Sequence, residues 1–391
     1  MTRGAAVALT TLALGCAGRT AVAPRPSSSR GGFDPVVAYL RSQVDSAFPG
    51  AVIAVGRHDT VLLLTAVGHY GVGDNRPVTP QTIYDLASLT KVIGLTTSVI
   101  MLVDSGKLDL DAPVQRHVPA FQGTGKERVT IRHLLTHSSG LPAWRPLFAE
   151  SSTRAQALAL VDTTALLRQP SDTFVYSDLG AIALTQAVEG VTGQRLDAFL
   201  DARVFRPLGM ASTRFLPPES WRTRIAPTEN DTAFRHRMLH GEVHDENAGR
   251  LEGVSGHAGL FSNAPDLARF AQWLLDSRLP PGRPAGTTPH VSHELVVEFS
   301  RRQALPTGSS RALGWDTPSA NSSAGTRLGP NAFGHTGFTG TSIWLDPGRD
   351  LFIILLSNRV NPTRANTRIF QVRRRVADLV VAAVNRGATA Q

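Results

Sequence analysis

The sequence predicts a mixed α/β (α+β) fold in which both ends of the chain contribute strands to one antiparallel sheet. Short apolar runs typical of strands occur near both ends, and helical patterns fill the middle. A helical pattern also lies beside the strands at each end. The simplest assembly is an antiparallel sheet with flanking terminal helices, an inserted all-helical region at about 88–302, and a cleft between the two parts.

The N-terminal elements follow from apolar spacing. Residues 33–48 carry apolar side chains at helical intervals and predict the first helix. The apolar runs 51–56 and 61–67, separated by a short polar segment, predict a β-hairpin. Residues 89–103 are apolar on nearly every face, which predicts a long helix in the middle of the domain.

The remaining elements form two blocks, first helices and then strands. Helical patterns in the middle of the chain cover 131–137, 154–168, 178–191, 195–205, 265–276 and 291–302. Strand patterns follow at 312–316, 331–336, 340–346 and 351–358, and a helix at about 364–385 closes the fold.

Composition and charge limit the function classes. The chain has 391 residues, of which 42% are hydrophobic and 18% charged, as expected for a globular protein with a real core. The net charge of +9 invites a nucleic-acid interpretation, but the basic residues are scattered apart from Arg373-Arg374-Arg375. We therefore expect no nucleic-acid partner, although a basic surface favours an anionic one such as a cell-wall polymer.

The N-terminus is typical of a targeting segment. Residues 1–16 contain one early arginine, an apolar stretch too short to span a bilayer, and Cys16, and they resemble a bacterial lipoprotein signal. That resemblance implies export, lipidation of Cys16 and a membrane anchor, hence a periplasmic or outer-membrane lipoprotein. The alternative is that Cys16, the sole cysteine, is only a small apolar residue. Residues 17–32 are expected to form a flexible tether, and 33–385 the catalytic body.

The segment Ser88-Leu89-Thr90-Lys91 places a hydroxyl and an amine three residues apart at the start of the apolar helix. On a helix these side chains share one face. Only three of the 40 basic residues are lysines, at 91, 107 and 126. A buried lysine can lose its proton whereas arginine cannot, so Ser88 and Lys91 are candidates for a nucleophile and a base. Alternatively, Ser88 is a helix cap and Lys91 a solvated side chain.

Two further segments complete a pattern. Tyr176-Ser177-Asp178 precedes a predicted helix, and His335-Thr336-Gly337 lies on a predicted strand. With Ser-x-x-Lys, these segments resemble, in order and separation, the three motifs of the serine penicillin-recognising superfamily, which holds class C β-lactamases, D,D-peptidases, esterases and amidases. The runs 131–142, 243–245, 259–270 and 334–346 are also similar to this superfamily, and the last is most similar to its muropeptide amidase and D-alanyl-D-alanine carboxypeptidase branch.

The resemblance implies a β-lactamase/transpeptidase-like fold and a role for each motif residue. Ser88 would be acylated, Lys91 and Tyr176 would share general-base work, and no cofactor or metal is expected. The backbone N–H groups of Ser88 and Phe338 would form the oxyanion hole. Residues expected to face the substrate are Asp178, His335, Thr336 and Gly337.

This sequence departs from the superfamily pattern at two positions. Asp178 stands where asparagine is usual, and an ionised carboxylate near Lys91 would favour the charged amine and shift proton abstraction toward Tyr176. His335 stands where lysine is commoner, so attraction of a substrate carboxylate is expected to depend on pH.

Other patterns have a plainer interpretation. His133 and His137 have metal-ligand spacing but no intervening glutamate, so capping and packing roles are preferred. His244 and Asp245 are interpreted either as a pair that supports the site or contacts substrate, or as a structural loop pair. Neither a Gly-x-Ser-x-Gly motif nor a phosphate-binding glycine loop is present.

The sequence therefore predicts a serine hydrolase that cleaves amide bonds of peptidoglycan-derived peptides through an acyl-enzyme on Ser88. The expected partner is a small-molecule or peptide substrate from the cell wall. An alternative is a β-lactamase or small-ester esterase of the same fold. A different class, a non-hydrolytic penicillin-binding-like protein that binds wall peptides, also stays open.

Overall fold

The computed structural model describes Met1 and residues 31–279, 289–320 and 322–388. The predicted signal and lipidation site at Cys16, and nearly all of the tether, lie outside these residues. The strands are β1 (Gly50–Gly56), β2 (Val61–Gly71), β3 (Asp74–Pro77), β4 (Tyr84–Asp85), β5 (Arg214–Phe215), β6 (Asn230–Asp231), β7 (Arg237–Met238), β8 (Leu260–Ser262), β9 (Phe333–Thr336), β10 (Ser342–Asp346) and β11 (Leu351–Ser357).

The helices connect and cover these strands. They are α1 (Asp34–Ser42), α2 (Thr97–Asp104), α3 (Ile131–Leu135), α4 (Leu147–Glu150), α5 (Arg154–Thr163), α6 (Asp178–Thr192), α7 (Leu196–Leu200), α8 (Glu246–Arg250), α9 (Ala264–Ser277), α10 (His293–Ser300) and α11 (Ile369–Ala388). Two π-helical segments, Lys91–Thr96 and Asp201–Phe205, lead into α2 and follow α7.

The main sheet is antiparallel and joins both ends of the chain, as the sequence predicts. Its strand order is β3-β2-β1-β11-β10-β9, so the N-terminal hairpin pairs directly with the last strand. The register runs from Ala51 opposite Ser357 to Gly56 opposite Phe352. This pairing places β9, which carries His335 and Thr336 and ends just before Gly337, at one edge of the sheet.

Both faces of β1 are buried, which explains its unbroken apolar sequence. Val52 and Ala54 pack into the large core shared with the helical region. Alternate residues such as Ile53 and Val55 pack into a second core with α1 and α11. Side chains alternate between the two faces of a strand, so one short run contributes to two hydrophobic layers.

The inserted region is mainly helical, but it also contains the short strands β5 to β8. The sequence analysis expected an all-helical region here. A small sheet with the order β4-β8-β5 connects this region to the segment before Ser88. Strands of two or three residues are too short to show the alternation from which strands are predicted.

The predicted strand at 312–316 is wrong. These residues form only isolated bridges, one between Arg311 and Asp316 and one between Asp316 and Gly334. Gly314 has a φ of +81°, and a Cβ there would lie 2.0 Å from Thr96 Oγ1. The chain therefore turns against the buried helix at a position that only glycine can occupy, although the segment is as apolar as a strand.

The apolar segment after Ser88 is a core helix, as expected, but not a single regular one. It begins with a 3₁₀ turn at Ala87–Leu89, continues as the π-helix and ends as α2. The segment Ala87–Asp104 is long and apolar enough for a membrane span, yet 83% of it is buried inside the fold. Thr97 Oγ1 donates to the carbonyl of Val92 at 3.0 Å, five residues back, which matches the wider π turn.

Candidate active site

The backbone before Ser88 is held in a strained conformation. Ala87 has a φ of +46°, in the left-handed region that residues with a Cβ rarely adopt. Its N–H donates to Asp85 Oδ1 at 2.8 Å, and Asp85 is buried. Burial raises the pKa of Asp85, although the N–H groups of His244 and Ala87 oppose the shift. The carboxyl group thus fixes the turn that presents Ser88.

Lys91 lies buried at the start of the π-helix, and its ammonium group has three acceptors. Nζ lies 3.1 Å from Ser88 Oγ, 3.0 Å from the carbonyl of His257 and 2.6 Å from Asp178 Oδ1. A lysine ammonium has three N–H donors and no acceptor. The geometry therefore accommodates charged Lys91, which donates to Ser88 rather than accepting its proton.

The electrostatics agree with this protonation state. Burial lowers the pKa of Lys91, but the negative charge of Asp178, with smaller contributions from Tyr176 and from hydrogen bonds, outweighs this effect, and the pKa lies above that of an ordinary lysine. The sequence-based expectation that Asp178 favours the charged amine fits this arrangement. At neutral pH the amine is protonated, so it stabilises negative charge on Ser88 instead of serving as a base.

Tyr176 lies against charged and aromatic groups at the entrance of α6. Lys91 Nζ is 4.9 Å and the guanidinium carbon of Arg311 is 5.4 Å from the centre of the Tyr176 ring. The ring centres of His137 and His335 lie 4.6 Å and 5.9 Å away. Two positive charges beside the phenol would stabilise negative charge that develops on it during proton transfer.

The neighbouring Ser177 starts α6. Its side chain accepts from the N–H of Gly180 at 3.0 Å, and its own N–H donates to His137 Nδ1 at 3.2 Å. Serine is a favoured N-cap residue because it satisfies one of the free N–H groups of the first turn. The cap fixes the direction in which Tyr176 and Asp178 leave the backbone.

His335 lies buried on β9 and does not titrate near neutrality, contrary to the sequence-based expectation. Burial lowers its pKa well below the ordinary value, and the positive charges of Arg311 and Lys91 lower it further. The imidazole is therefore neutral, with Nδ1 donating to the carbonyl of Thr336 at 2.8 Å. A charge for a substrate carboxylate must come from another residue.

The turn after β9 is fastened to the segment that carries Ser88. Thr341 Oγ1 donates to the carbonyl of Leu86 at 2.9 Å, and Thr339 Oγ1 donates to that of Asp85 at 2.7 Å. A Cβ on Gly337 would lie 2.1 Å from Thr341 Oγ1 and 2.2 Å from the Leu86 carbonyl oxygen, so only glycine allows this close approach. Phe338, in the same turn, has 46% of its surface exposed.

A cavity of about 370 Å³ joins these groups. Its lining brings together most of the residues that the sequence analysis selected, namely Ser88, Tyr176, His335, Thr336, Gly337 and Phe338. Lys91 and Asp178 adjoin it through their contacts with Ser88 and with each other. A larger cavity of about 510 Å³, against Trp221 and Phe205, contains none of the motif residues. The motif chemistry therefore identifies the smaller cavity as the candidate site.

His133 and His244, which the sequence analysis also considered, each have partners within the fold. His133 forms a capping box with Thr130 at the start of α3, and Nε2 lies 2.8 Å from Ser171 Oγ. His244 pairs with Glu229 Oε2 at 2.8 Å, and Asp245 caps α8. Over 31–279, 289–320 and 322–388, no group of three His, Cys, Asp or Glu side chains is placed to hold a metal ion.

The structure adds residues that sequence reasoning missed. Arg311 and Arg373 line the cavity, although neither belongs to a motif. His257 supplies a carbonyl to Lys91, and its ring lies between Ser255 Oγ at 2.7 Å and Asp245 Oδ1 at 2.9 Å. Arg373 lies three and four positions before the buried residues Val376 and Ala377, so it shares the apolar side of α11. This spacing is visible in the sequence, but the neighbouring arginines make the segment look like an exposed basic cluster.

A protein-family model called Beta-lactamase matches residues 36–378, which is most of the chain. The chain belongs to the beta-lactamase family. A Salmonella typhi protein with the provisional name D-alanyl-D-alanine carboxypeptidase is 30% identical over 368 residues, covering 85% of this chain and 83% of that protein. Together with the family match, this similarity identifies a serine hydrolase.

Solved structures agree on the fold. A penicillin-binding protein homologue from Caulobacter crescentus superposes with a TM-score of 0.70 at 21% identity, covering 93% of this chain and 99% of its own. EstCE1, described as a hydrolase with promiscuous acyltransferase activity, gives a TM-score of 0.71 at 20% identity, covering 91% and 100%. At these identities, the likeness establishes the beta-lactamase fold and not the substrate.

Proposed function

We propose that this beta-lactamase family member cleaves a D-alanyl amide bond in peptidoglycan-derived peptides through an acyl-enzyme on Ser88. The observation that carries the proposal is the 3.1 Å contact between Lys91 Nζ and Ser88 Oγ at the edge of the cavity. A charged amine at that distance stabilises the serine as its proton leaves. Tyr176 takes the proton and delivers it to the leaving amine.

The cavity supports a substrate that ends in a carboxylate. Arg311 Nε and Nη1 are buried and have no hydrogen-bond acceptor among the described residues, although Asp316 Oδ1 lies 3.9 Å from Nε, and the side chain is 14% exposed. A buried guanidinium without acceptors favours an anionic ligand that supplies them. Neutral His335 cannot supply that charge. Arg373 also lines the cavity, but its Nη2 already donates to two backbone carbonyls, so Arg311 is the residue assigned to the substrate carboxylate.

The test compares peptides that differ only at the C-terminus. An acylated peptide ending in D-Ala-D-Ala should release D-alanine, measured by chromatography, and its C-terminal amide analogue should react at a KM about tenfold higher or more. Ser88→Ala should abolish release. Arg311→Gln should raise KM for the carboxylate peptide but not for its amide analogue, and any fall in kcat from the lost charge beside Tyr176 should be the same for both peptides. An equal rise in KM for both would contradict the assigned role.

The same assay separates the alternative functions. Faster turnover of a chromogenic cephalosporin or a small ester than of any wall peptide would favour a β-lactamase or esterase. Release of the amino-terminal part of a muropeptide without free D-alanine would favour an amidase. Stable acylation of Ser88 by penicillin without turnover of any substrate would favour a non-hydrolytic wall-peptide binder. A D-alanyl hydrolase requires release of free D-alanine with many turnovers per enzyme.

We also propose that the protein is exported and anchored through lipid on Cys16. The support is the sequence pattern around Cys16 and the requirement that an enzyme acting on the cell wall works outside the cytoplasm. Growth with an alkyne fatty acid should label the full chain and place it in the membrane fraction. Cys16→Ser should remove both the label and the membrane association, and a labelled Cys16→Ser protein would contradict the assignment.

A further inference from the structure

The turn that follows β9 carries the second oxyanion-hole donor expected from the sequence, the N–H of Phe338. Gly337 N donates to the Thr341 carbonyl at 2.7 Å, and Gly340 N donates to the Gly337 carbonyl at 3.1 Å. Among the backbone bonds of the described residues, none uses the Phe338 N–H. This N–H belongs to the same peptide unit as the Gly337 carbonyl.

Arg373 reaches this peptide unit from α11. Its side chain is buried, and Nη2 donates to the Gly337 carbonyl at 2.5 Å and to the Thr341 carbonyl at 2.8 Å. The guanidinium therefore binds the carbonyl end of the peptide unit whose N–H belongs to Phe338, a residue that lines the cavity containing Ser88. Charged hydrogen bonds of this length are among the stronger ones in proteins.

A hydrogen bond accepted by the carbonyl oxygen of a peptide unit changes the donor strength of the N–H in the same unit. Hydrogen bonds in series polarise one another, so an amide whose oxygen accepts from a cation is a stronger donor through its nitrogen. The positive charge also lies one peptide unit from the place where an oxyanion would form. Burial lowers the pKa of Arg373 to about 9, with a further contribution from Arg359, so the guanidinium is still charged at neutral pH.

Arg359 provides an internal comparison because it binds the next peptide unit of the same turn. Its Nε donates to the Phe338 carbonyl at 2.8 Å, and its guanidinium carbon lies 4.3 Å from the centre of the Phe338 ring. The Phe338 carbonyl shares its peptide unit with the N–H of Thr339. Arg359 thus holds the turn without acting on the Phe338 N–H.

We propose that Arg373 is a positioning residue that orients and polarises the Phe338 N–H for oxyanion binding. The inference rests on the proposed acyl-enzyme at Ser88. It assigns a part in acyl transfer to a side chain whose hydrogen bonds go to backbone carbonyls and not to the nucleophile. Its role is to bind the far end of the donor peptide unit from the C-terminal helix.

The experiment measures the carbonyl stretch of the acyl-enzyme. Ser88 is acylated with a penicillin or an activated ester, ¹³C-labelled at the acyl carbon, and difference infrared spectra are recorded. In Arg373→Gln the acyl carbonyl should absorb at higher wavenumber than in the wild type because its polarisation is weaker. Acylation and deacylation both pass through an oxyanion, so each should slow about 10–100-fold, somewhat less than the loss of an entire oxyanion donor, and KM should change less than twofold.

Arg359→Gln is the matched control, since it removes a charged donor from the adjacent carbonyl. Its acyl carbonyl stretch should equal that of the wild type. If Arg373→Gln folds poorly, Arg373→Lys, which keeps the charge, should show a stretch between those of the wild type and Arg373→Ala. Added methylguanidinium should return the stretch of Arg373→Ala toward the wild-type value.

The possible outcomes distinguish failure of the proposed function from failure of the role assigned to Arg373. A wild-type enzyme that forms no acyl group on Ser88 would refute the proposed function, and this inference with it. Normal acylation with the same carbonyl stretch in the wild type and in the folded Arg373 variants would refute the role of Arg373 alone. An equal shift in Arg359→Gln would also refute it, because the effect would then belong to the turn as a whole.

Discussion

Asp178→Asn tests the claim that the carboxylate keeps Lys91 charged. The substitution preserves the size of the side chain and restores the residue commoner in this superfamily, but it removes the negative charge 2.6 Å from Lys91 Nζ. The lysine side chain is 4% exposed and that of Asp178 is 21% exposed. The ammonium would therefore be left in a site with little water and a neutral partner.

The size of the expected change in the Lys91 pKa follows from the distance between Lys91 Nζ and the Asp178 carboxylate. With an effective dielectric constant of about 20, two unit charges at 2.6 Å attract by about 6 kcal/mol, and desolvation of the pair offsets part of this. Since one pKa unit corresponds to about 1.4 kcal/mol, we expect the pKa of Lys91 to fall by about 2–4 units. Free amine would then form in alkaline solution that leaves the wild-type lysine charged, and Lys91 would become available there as a base.

The pKa of Lys91 can be measured directly because the chain has only three lysines, at 91, 107 and 126. Carbon-13 labelling of the lysine ε-carbons gives three signals, which Lys107→Arg and Lys126→Arg assign. The acylation rate by a fluorescent penicillin between pH 6 and 10 provides the functional measurement. In the variant the rate should rise with pH through the lowered pKa of Lys91, whereas in the wild type Lys91 stays charged over this range.

Stability gives an independent check with a defined sign. The raised pKa of wild-type Lys91 contributes stability below the normal lysine pKa, and this is lost only in strongly alkaline solution. In Asp178→Asn the unpaired ammonium should cost about 3 kcal/mol, and the cost should shrink as pH rises through the lowered pKa. An unchanged Lys91 titration in a folded variant would refute the reasoning about this ion pair.

Three further predictions concern the same cavity. Tyr176→Phe should lower kcat about 100- to 10,000-fold and leave the unfolding temperature nearly unchanged; unaltered activity would refute the proton relay. Gly337→Ala should lower activity at least tenfold and stability by about 1–3 kcal/mol, because the methyl group meets the Leu86 carbonyl; Gly180→Ala, whose new Cβ would have neighbours no closer than 3.6 Å, is the control and should change neither. Since the lowered pKa of His335 keeps it neutral, His335→Gln should not alter the shape of the kcat/KM profile between pH 5 and 8, and loss of an acid limb near pH 6–7 would contradict that.

The parts of the fold that the sequence predicts are those where local pattern and tertiary position agree. The β1–β2 hairpin and α6 each carry a clear apolar pattern with a turn or cap at the boundary, and they form close to the expected residues. Residues 312–316 show where prediction from the local apolar pattern fails. They are apolar because they are buried, but Gly314 turns the chain against Thr96, a contact that depends on residues far away in sequence.

The candidate site divides in the same way. Ser88 and Lys91 are close in sequence, and their side chains meet although the backbone between them is 3₁₀ and π rather than α-helical. The low pKa of His335 was not predictable from its motif, because it results from burial and from Arg311, a residue in an irregular segment without a motif. Arg373 faces the site because it lies on the buried side of α11. Its place in a run of three arginines suggests an exposed basic cluster instead, so the sequence alone did not indicate this contact.

The central claim is that Ser88 becomes covalently acylated, and mass spectrometry of the labelled enzyme tests it most directly. After exposure to a fluorophosphonate or a penicillin, digestion should yield one modified peptide, with the added mass on Ser88. The Ser88→Ala protein, shown to be folded, should remain unmodified under the same conditions. Equal labelling of Ser88→Ala, or modification of a different residue in the wild type, would contradict the account of this site.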